Sequence, residues 1–577
     1  MKFTQALGIA TLCGLTGTAC ADTMTVKLIA LNDFHGNLAS PGKFNGVDAG
    51  GVDQIAGYVE QLKASNPLSA VVSAGDLIGA SPLISALFHD EGTIETMNRL
   101  GLEFNAVGNH EFDDGQDELV RLQTGGCHPT DTQNSCKGND VGTPVPFEGA
   151  QFKFLAANVR NKTSKKTLFP GYAVKEFNGI PVAFIGLTLK ETPSIVSPAG
   201  IKGLSFTDEA VEINALVKKL KNQGIQSIVV LIHQGGVQVS PTAPDINTCL
   251  GDLEGSPIKA IVNKLDGGVD LVISGHTHSA YNCQVANKAG RMIPVTSANA
   301  LGRVLTDIDV TIDTATRDVT AVTAVNRVVD RTDITVVPNA EIKAIVDGYA
   351  QLVTPVTNRV IGEIGADILR VPAASGESAL GDLIADAQLA ATAGADFGYA
   401  VAAFMNPGGI RADLSYASSA TGEGDGKVTY GEAFTVQPFG NSLVALTVTG
   451  TQIKQLLEQQ FMGCTQGYPA TDTAGQPFDR ILQVSEGFSY QWDSTRAPCQ
   501  KVITKSIRIN GQPLNLKSRY RITVNSFLAD GGDKFYVLKK GTNRTGGPQD
   551  VDALEAFMKA SAGSVVPNTQ PRIEKLR

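Results

Sequence analysis

Residues 106–113 read Ala106-Val107-Gly108-Asn109-His110-Glu111-Phe112-Asp113. A short apolar run passes through a glycine straight into an Asn-His-Glu cluster, side chains that can hold metal ions or move protons. The same arrangement recurs at four other places. Asp33-Phe34-His35 follows the apolar run 26–31, and Gly75-Asp76 follows 70–73. His233-Gln234-Gly235-Gly236 follows 228–232, and Gly275-His276-Thr277-His278 follows 271–273. Five of the chain's 7 histidines fall in these segments; His89 and His128 lack the setting and read as loop or surface residues.

On either side of this segment, residues 25–329 alternate short aliphatic runs with stretches of helical period, such as Ile213, Leu216, Val217 and Leu220, stopped by Gly224. Further runs lie at 152–156 and 182–185. The runs are continuous rather than alternating, which predicts a sheet covered on both faces and hence a layered α/β fold. In such folds the carboxyl ends of the strands open onto one crevice, so the five polar segments can meet in space. These segments then offer a set of seven nitrogen and oxygen ligands without thiolate, suited to Zn, Mn, Co or Fe(II). It is too large for one tetrahedral ion, and a carboxylate can bridge, so two ions are expected.

Pro338 breaks the pattern, and Asn339 starts a helical stretch with Ile342, Ile345, Val346 and Tyr349 at helical spacing. We take 22–335 as the metal-binding domain, 336–357 as a connecting helix and 358–577 as a mixed α+β domain. In the last, 377–392 reads as an apolar helix, 415–427 as a surface loop, and 406–413, 434–449 and 522–527 as strands or hairpins.

The composition is that of an ordinary globular protein: 577 residues, 42% hydrophobic, 18% charged. A net charge of −9 disfavours nucleic acid or anionic lipid as a partner. Residues 1–21 combine Lys2, an apolar stretch and Ala19-Cys20-Ala21, a secretory signal pattern that predicts a periplasmic or secreted protein. The apolar stretch is too short to span a bilayer, and no oligomer is predicted. Of 8 cysteines, Cys13 and Cys20 belong to that segment. For the other six, many connectivities are open, and nearest-neighbour pairing (Cys127 with Cys136, Cys249 with Cys283, Cys464 with Cys499) is our working expectation.

Asp-x-His, Gly-Asp, Gly-Asn-His-Glu and Gly-His-x-His, in this order, resemble the calcineurin-like metallophosphoesterases. Gly108 to Asp113 looks like the version found in the exported bacterial 5′-nucleotidase/UDP-sugar hydrolase family. The second half matches as well, through Asn406-Pro407-Gly408-Gly409-Ile410-Arg411, Gln437-Pro438-Phe439-Gly440-Asn441 and the segment from Asn525 to Asp533. The resemblance implies a four-layered α/β/β/α domain followed by a substrate-binding domain. It implies that Asp33, His35, Asp76 and His278 hold one divalent ion and Asp76, Asn109, His233 and His276 the other. His110 and Asp113 would be the catalytic pair. Phe439 and Phe527 would sandwich a base, Arg411 with Asn406 would hold phosphate, and Asp533 would accept from ribose hydroxyls, with Asn441 and Arg370 also at the site. Two departures bear on substrate choice. Pro407 stands where glycine is usual, and Ala373, Ala374 and Ser375 stand where relatives often carry a second arginine. The implied activity is hydrolysis of nucleoside 5′-monophosphates, with UDP-sugars or other nucleotide diphosphates as further substrates. A 2′,3′-cyclic nucleotide phosphodiesterase with 3′-nucleotidase activity is the near alternative, and an inactive secreted nucleotide binder the remote one.

Overall fold

The structure, a computed structural model, describes residues 22–196, 200–238, 245–419, 422–470, 472–473 and 475–577. The expected export signal at 1–21 lies outside the described residues.

Two six-stranded sheets make up the first half. One has the order Val319–Val328, Val304–Asp313, Thr23–Leu31, Ser69–Ser73, Leu102–Ala106, Lys153–Leu155, and the last four run parallel. The other has the order Ala280–Ala286, Met292–Ala298, Leu271–Ser274, Ser227–His233, Ile180–Thr188, Tyr172–Phe177, with its inner four parallel.

Side chains alternate across each strand, and both faces are buried. In Ser227–His233, Val229 and Leu231 meet Val26, Leu28 and Val72 of the other sheet, while Ile228, Val230 and Ile232 meet Ile213, Val217 and Leu220 of helix Glu209–Asn222. Helices Val52–Ser65 and Glu91–Leu100 cover the outer face of the first sheet in the same way. The order is therefore helix, sheet, sheet, helix.

Helix Ala340–Thr357 follows, its first turn capped by Asn339, whose side chain accepts from the Ile342 amide. Ile342 and Val346 join the core of the first sheet. Ile345, Tyr349 and Val353 pack with Leu83 and Phe88 before the helix and with Tyr430 and Phe434 after it. The second half is built on a five-stranded sheet, Gln483–Val484, Ala402–Met405, Arg519–Asn525, Ser442–Thr449, Thr542–Gln549. Helix Ala379–Thr392 packs on one side and Gly450–Glu458 on the other.

Several local expectations differ from the structure. The strand ahead of Gly108 is Leu102–Ala106, not 106–107, because polar Glu103 and Asn105 interrupt the apolar pattern of a strand that is nonetheless paired on both sides. Residues 406–413 are not a strand: Pro407–Gly409 is a 3₁₀ turn, as proline at its start favours. The beginning of 434–449 belongs to helix Tyr430–Val436, fixed by a Thr429/Glu432 capping box, and the strand starts at Ser442. The three disulfides Cys127–Cys136, Cys249–Cys283 and Cys464–Cys499 are present. Among the described residues no helix is long and apolar enough to cross a membrane.

Candidate metal centre and the adjoining cavity

The parallel strands carry their pairing past the sheet. The Asp33 amide donates to the Gly75 carbonyl at 2.9 Å and the His35 amide to the Asp76 carbonyl at 3.0 Å, so two ligand loops run side by side. Gly108 and Gly75 allow the close approach. A Cβ on Gly108 would lie 2.2 Å from Asp76 Oδ1, and one on Gly75 would lie 2.7 Å from His233 Nδ1.

Two donor sets result. Asp33, His35 and His278 offer ligand atoms within 4.8 Å of one another, and so do Asp76, His233 and His276. The sets adjoin: His35 Nε2 lies 3.8 Å from Asp76 Oδ2, and His233 Nε2 lies 2.9 Å from the same oxygen. Asp33, His35, Asp76, His276 and His278 all have φ between 49° and 73°, a left-handed backbone costing on the order of 1–3 kcal/mol each. The surrounding hydrogen bonds hold them there.

The donor chemistry fits divalent cations. His35 Nδ1 donates to the Gly79 carbonyl (2.8 Å) and His233 Nδ1 to the Ala74 carbonyl (2.9 Å), which turns each Nε2 lone pair towards the site. Burial pushes His35 and His276 down to about 3 and His278 well below the usual histidine range, so these rings are neutral donors. Burial also pushes Asp33 up to about 7, a penalty that a neighbouring cation reverses. Asn109 Oδ1 is buried with no hydrogen-bond partner among the described residues, as expected of a ligand oxygen.

His110 and Asp113 sit together beside these sets. His110 Nδ1 donates to Asp113 Oδ2 at 2.8 Å, and that oxygen also accepts from the Ala80 amide at 3.0 Å. Burial opposes protonation of His110, but the Asp113 and Asp76 charges outweigh it and raise its pKa above the ordinary value.

Two supporting residues escape the sequence reading. Glu111 accepts from the amides of Gly108 (2.6 Å), Asp76 (3.0 Å) and Leu77 (2.9 Å), tying the two central ligand loops together. Asn32 donates to Asp33 Oδ2 (2.6 Å) and accepts from the Ala298 amide (2.7 Å). The signal is available: Asn32 directly precedes the ligand Asp33, and Glu111 directly follows His110. His89 and His128 are not in either donor set. They stack on each other with ring centroids 4.1 Å apart, and His89 Nε2 lies 3.2 Å from Asp131 Oδ2.

A cavity of about 330 Å³ opens beside the metal centre. Asn109, His110, Asp113 and His276 line it from the first half; Asn406, Arg411, Phe439, Asn441, Phe527 and Asp533 line it from the second. The Phe439 ring stacks on His110 (5.5 Å between centroids, 17° between planes), and the Arg411 guanidinium lies 5.7 Å from the same ring. Asn406 is directed at Asp533 and Asn525: its Nδ2 donates to Asp533 Oδ2 at 2.9 Å, and its Oδ1 accepts from Asn525 Nδ2 at 3.0 Å. Arg370 does not line the cavity; its Nη1 reaches the Ile410 carbonyl at 3.5 Å and its amide donates to Asp413. Phe478 and Arg480 do line it, and nothing in the sequence reading anticipates them.

A helix–sheet–sheet–helix fold with two adjoining Asp/His donor sets at its strand ends defines the metallophosphoesterase class. Residues 26–280 match the calcineurin-like phosphoesterase model, and 360–540 match the 5′-nucleotidase C-terminal domain. The chain is 32% identical over 580 residues to a cell wall protein of Listeria monocytogenes, aligning 96% of this chain and 69% of that one. It is 30% identical over 566 residues to endonuclease YhcR of Bacillus subtilis, covering 96% of this chain but only 41% of YhcR. A solved 5′-nucleotidase precursor from Thermus thermophilus superposes with a TM-score of 0.73 at 28% identity, over 96% of this chain and 99% of that one. The chain belongs to the 5′-nucleotidase family of metallophosphoesterases, a phosphoesterase domain followed by a 5′-nucleotidase C-terminal domain.

Proposed function

We propose that this chain is an exported phosphohydrolase that uses two divalent ions to release phosphate from nucleoside 5′-monophosphates, with UDP-sugars and other nucleotide diphosphates as a second substrate class. The observation that carries the reading is the shared cavity: the space lined by Phe439, Phe527 and Arg411 is also lined by Asn109 and by His276 of one donor set, and that set adjoins the other through Asp76. Three disulfides favour an oxidising compartment, in keeping with a periplasmic or secreted location.

In this reading Asp33, His35, Asp76 and His278 hold one ion, and Asp76, Asn109, His233 and His276 hold the other, Asp76 being shared. When bound, such ions acidify water and offset charge on phosphoryl oxygens. The protein's own groups do the rest. Asp113, fixed by the Ala80 amide, holds His110 protonated and oriented, so that its free N–H faces the cavity and stabilises charge developing on the phosphate. Arg411 pairs with the same phosphate. Phe439 and Phe527 stack on the base, worth about 1–3 kcal/mol per base. With Phe439 against His110, base binding and catalysis share one wall.

The test is to strip the mature chain with chelator, restore Mn, Zn, Co or Mg singly, and measure phosphate release from AMP, UDP-glucose and cyclic 2′,3′-AMP. Metal-dependent release from AMP is expected. Turnover of the cyclic nucleotide alone would overturn the substrate assignment and leave the metal chemistry.

A further inference from the structure

At one end of the five-stranded sheet, three chain segments meet beside the cavity. Strand Ser442–Thr449 lies between Arg519–Asn525 and Thr542–Gln549, with Leu443 opposite Asn525 and Ser442 opposite Gln549. Asn441 enters the central strand two residues after Phe439, and Ser526 leaves the second strand just before Phe527. Asp550 leaves the third and starts helix Asp550–Ala560. The three are joined: the Asp550 amide donates to the Asn441 carbonyl at 2.8 Å, and Ser526 Oγ donates to Asn441 Oδ1 at 3.1 Å. The Asn441 side chain also hydrogen-bonds the Asp550 carboxyl group.

Asp550 does not line the cavity, and only 2% of it is exposed. Burial pushes its carboxyl up to about 7, against the hydrogen bonds from the Val551 amide (2.9 Å) and Asn441 that hold it down. Above that pH the carboxylate only accepts, so Asn441 turns its N–H side to Asp550 and its oxygen to Ser526. A side-chain amide carries two N–H donors and two lone pairs, and each of these partners uses one. The remaining N–H and lone pair belong to a side chain that lines the cavity and ties the Phe439 loop to the Phe527 loop. A donor and an acceptor in a fixed order can match one base edge and clash with its opposite.

We propose that Asp550 is a positioning residue: it fixes which way round the Asn441 amide stands, so that the cavity distinguishes bases bearing an amino group from bases bearing an oxygen at the same place. The proposal rests on the nucleotide reading above. Stacking on Phe439 and Phe527 is blind to this difference, because every base has a π-face. Discrimination therefore falls to the one amide joined to both loops, and its polarity is set from behind by a residue that touches no ligand.

The experiment is calorimetric titration of the full, metal-loaded chain with adenosine and inosine, at about pH 8.5, where a carboxyl group with a pKa of about 7 is ionised. The two nucleosides share their sugar and stacking surface and differ in an amino donor replaced by an oxygen acceptor. The native chain is expected to bind one at least about tenfold more tightly than the other, because the wrong base sets donor against donor or acceptor against acceptor. Asp550→Asn keeps the shape but offers Asn441 a donor as well as an acceptor, so the amide can turn; the ratio is expected to fall within about threefold. In turnover the KM values for AMP and IMP should converge, with each kcat changed by less than about twofold. Asp550→Ser should do the same and carries the test if the asparagine variant fails to fold. Equal affinities in the native chain, no nucleoside binding, a ratio kept in both variants, or an equal loss for both ligands would each overturn the proposal. AMP hydrolysis without base discrimination sinks the positioning role alone, and discrimination without hydrolysis sinks the proposed reaction alone.

Discussion

The metal centre and the cavity wall opposite it are built in contrasting ways. In the first half, each donor sits at the end of a buried parallel strand or within four residues beyond it. The strands hold the loops in register, as the Asp33–Gly75 and His35–Asp76 backbone bonds show. In the second half, the cavity residues lie on loops and helix ends: Asn406 before a 3₁₀ turn, Phe439 after a helix, Phe527 in a single helical turn, and Arg480 in a loop. Both halves hold strained residues, but the first over-determines them through the sheet and Glu111, whereas Asp533 depends on three side chains from two segments, Asn406 and the stretch carrying Gln476 and Arg480. A chemistry that must be invariant rests on strand ends, and a selectivity that can vary rests on loops.

Breaking the first half should have the larger effect. Removing the imidazole in His110→Ala is expected to lower kcat by roughly 10²–10⁴, with metal content by elemental analysis unchanged. Glu111→Gln leaves every ligand in place but weakens the bond network between the Asp76 and Asn109 loops. A fall of about 10–100-fold in metal affinity or turnover is expected, and metal titration should recover part of it. In the second half, Phe439→Ala should raise KM for AMP by the equivalent of about 1–3 kcal/mol, with a smaller change in kcat because the ring also abuts His110. A KM untouched by this substitution would place the base elsewhere.

The smallest effect concerns the junction. Burial pushes Glu95 up to about 7 from 4.5, although it accepts from Thr143 Oγ1 (2.7 Å) and from Tyr349 OH (2.9 Å) of helix Ala340–Thr357. A carboxyl group raised in the folded state supports stability fully below its ordinary pKa, and that support is lost as pH rises through the folded value. Melting temperature should therefore decline between about pH 4.5 and 7 by an amount that Glu95→Gln removes. An identical pH slope in the glutamine variant would show that Glu95 is not the titrating group.

Much of the first half can be read from the chain itself. A donor beside glycine at the end of an apolar run is a local pattern, and local patterns survive translation into sequence. So is the helical face Ile213, Leu216, Val217 and Leu220. Continuous apolar strands such as 228–232 state that both faces are buried, but the cover on each face is a long-range fact: here a helix lies on one and a second sheet on the other. Glycine-rich 406–413 reads as strand because its neighbours do, and only the turn at Pro407 shows otherwise.

The identity of the donors and the layered class are written in the residue order, because strand geometry ties each ligand to an apolar run a few residues away. The company those donors keep is settled only on folding: Glu111 binding two loops together, Arg370 left outside the cavity, and Phe478 and Arg480 brought inside it. Those placements depend on contacts between segments tens to hundreds of residues apart, and no local spacing encodes such a contact.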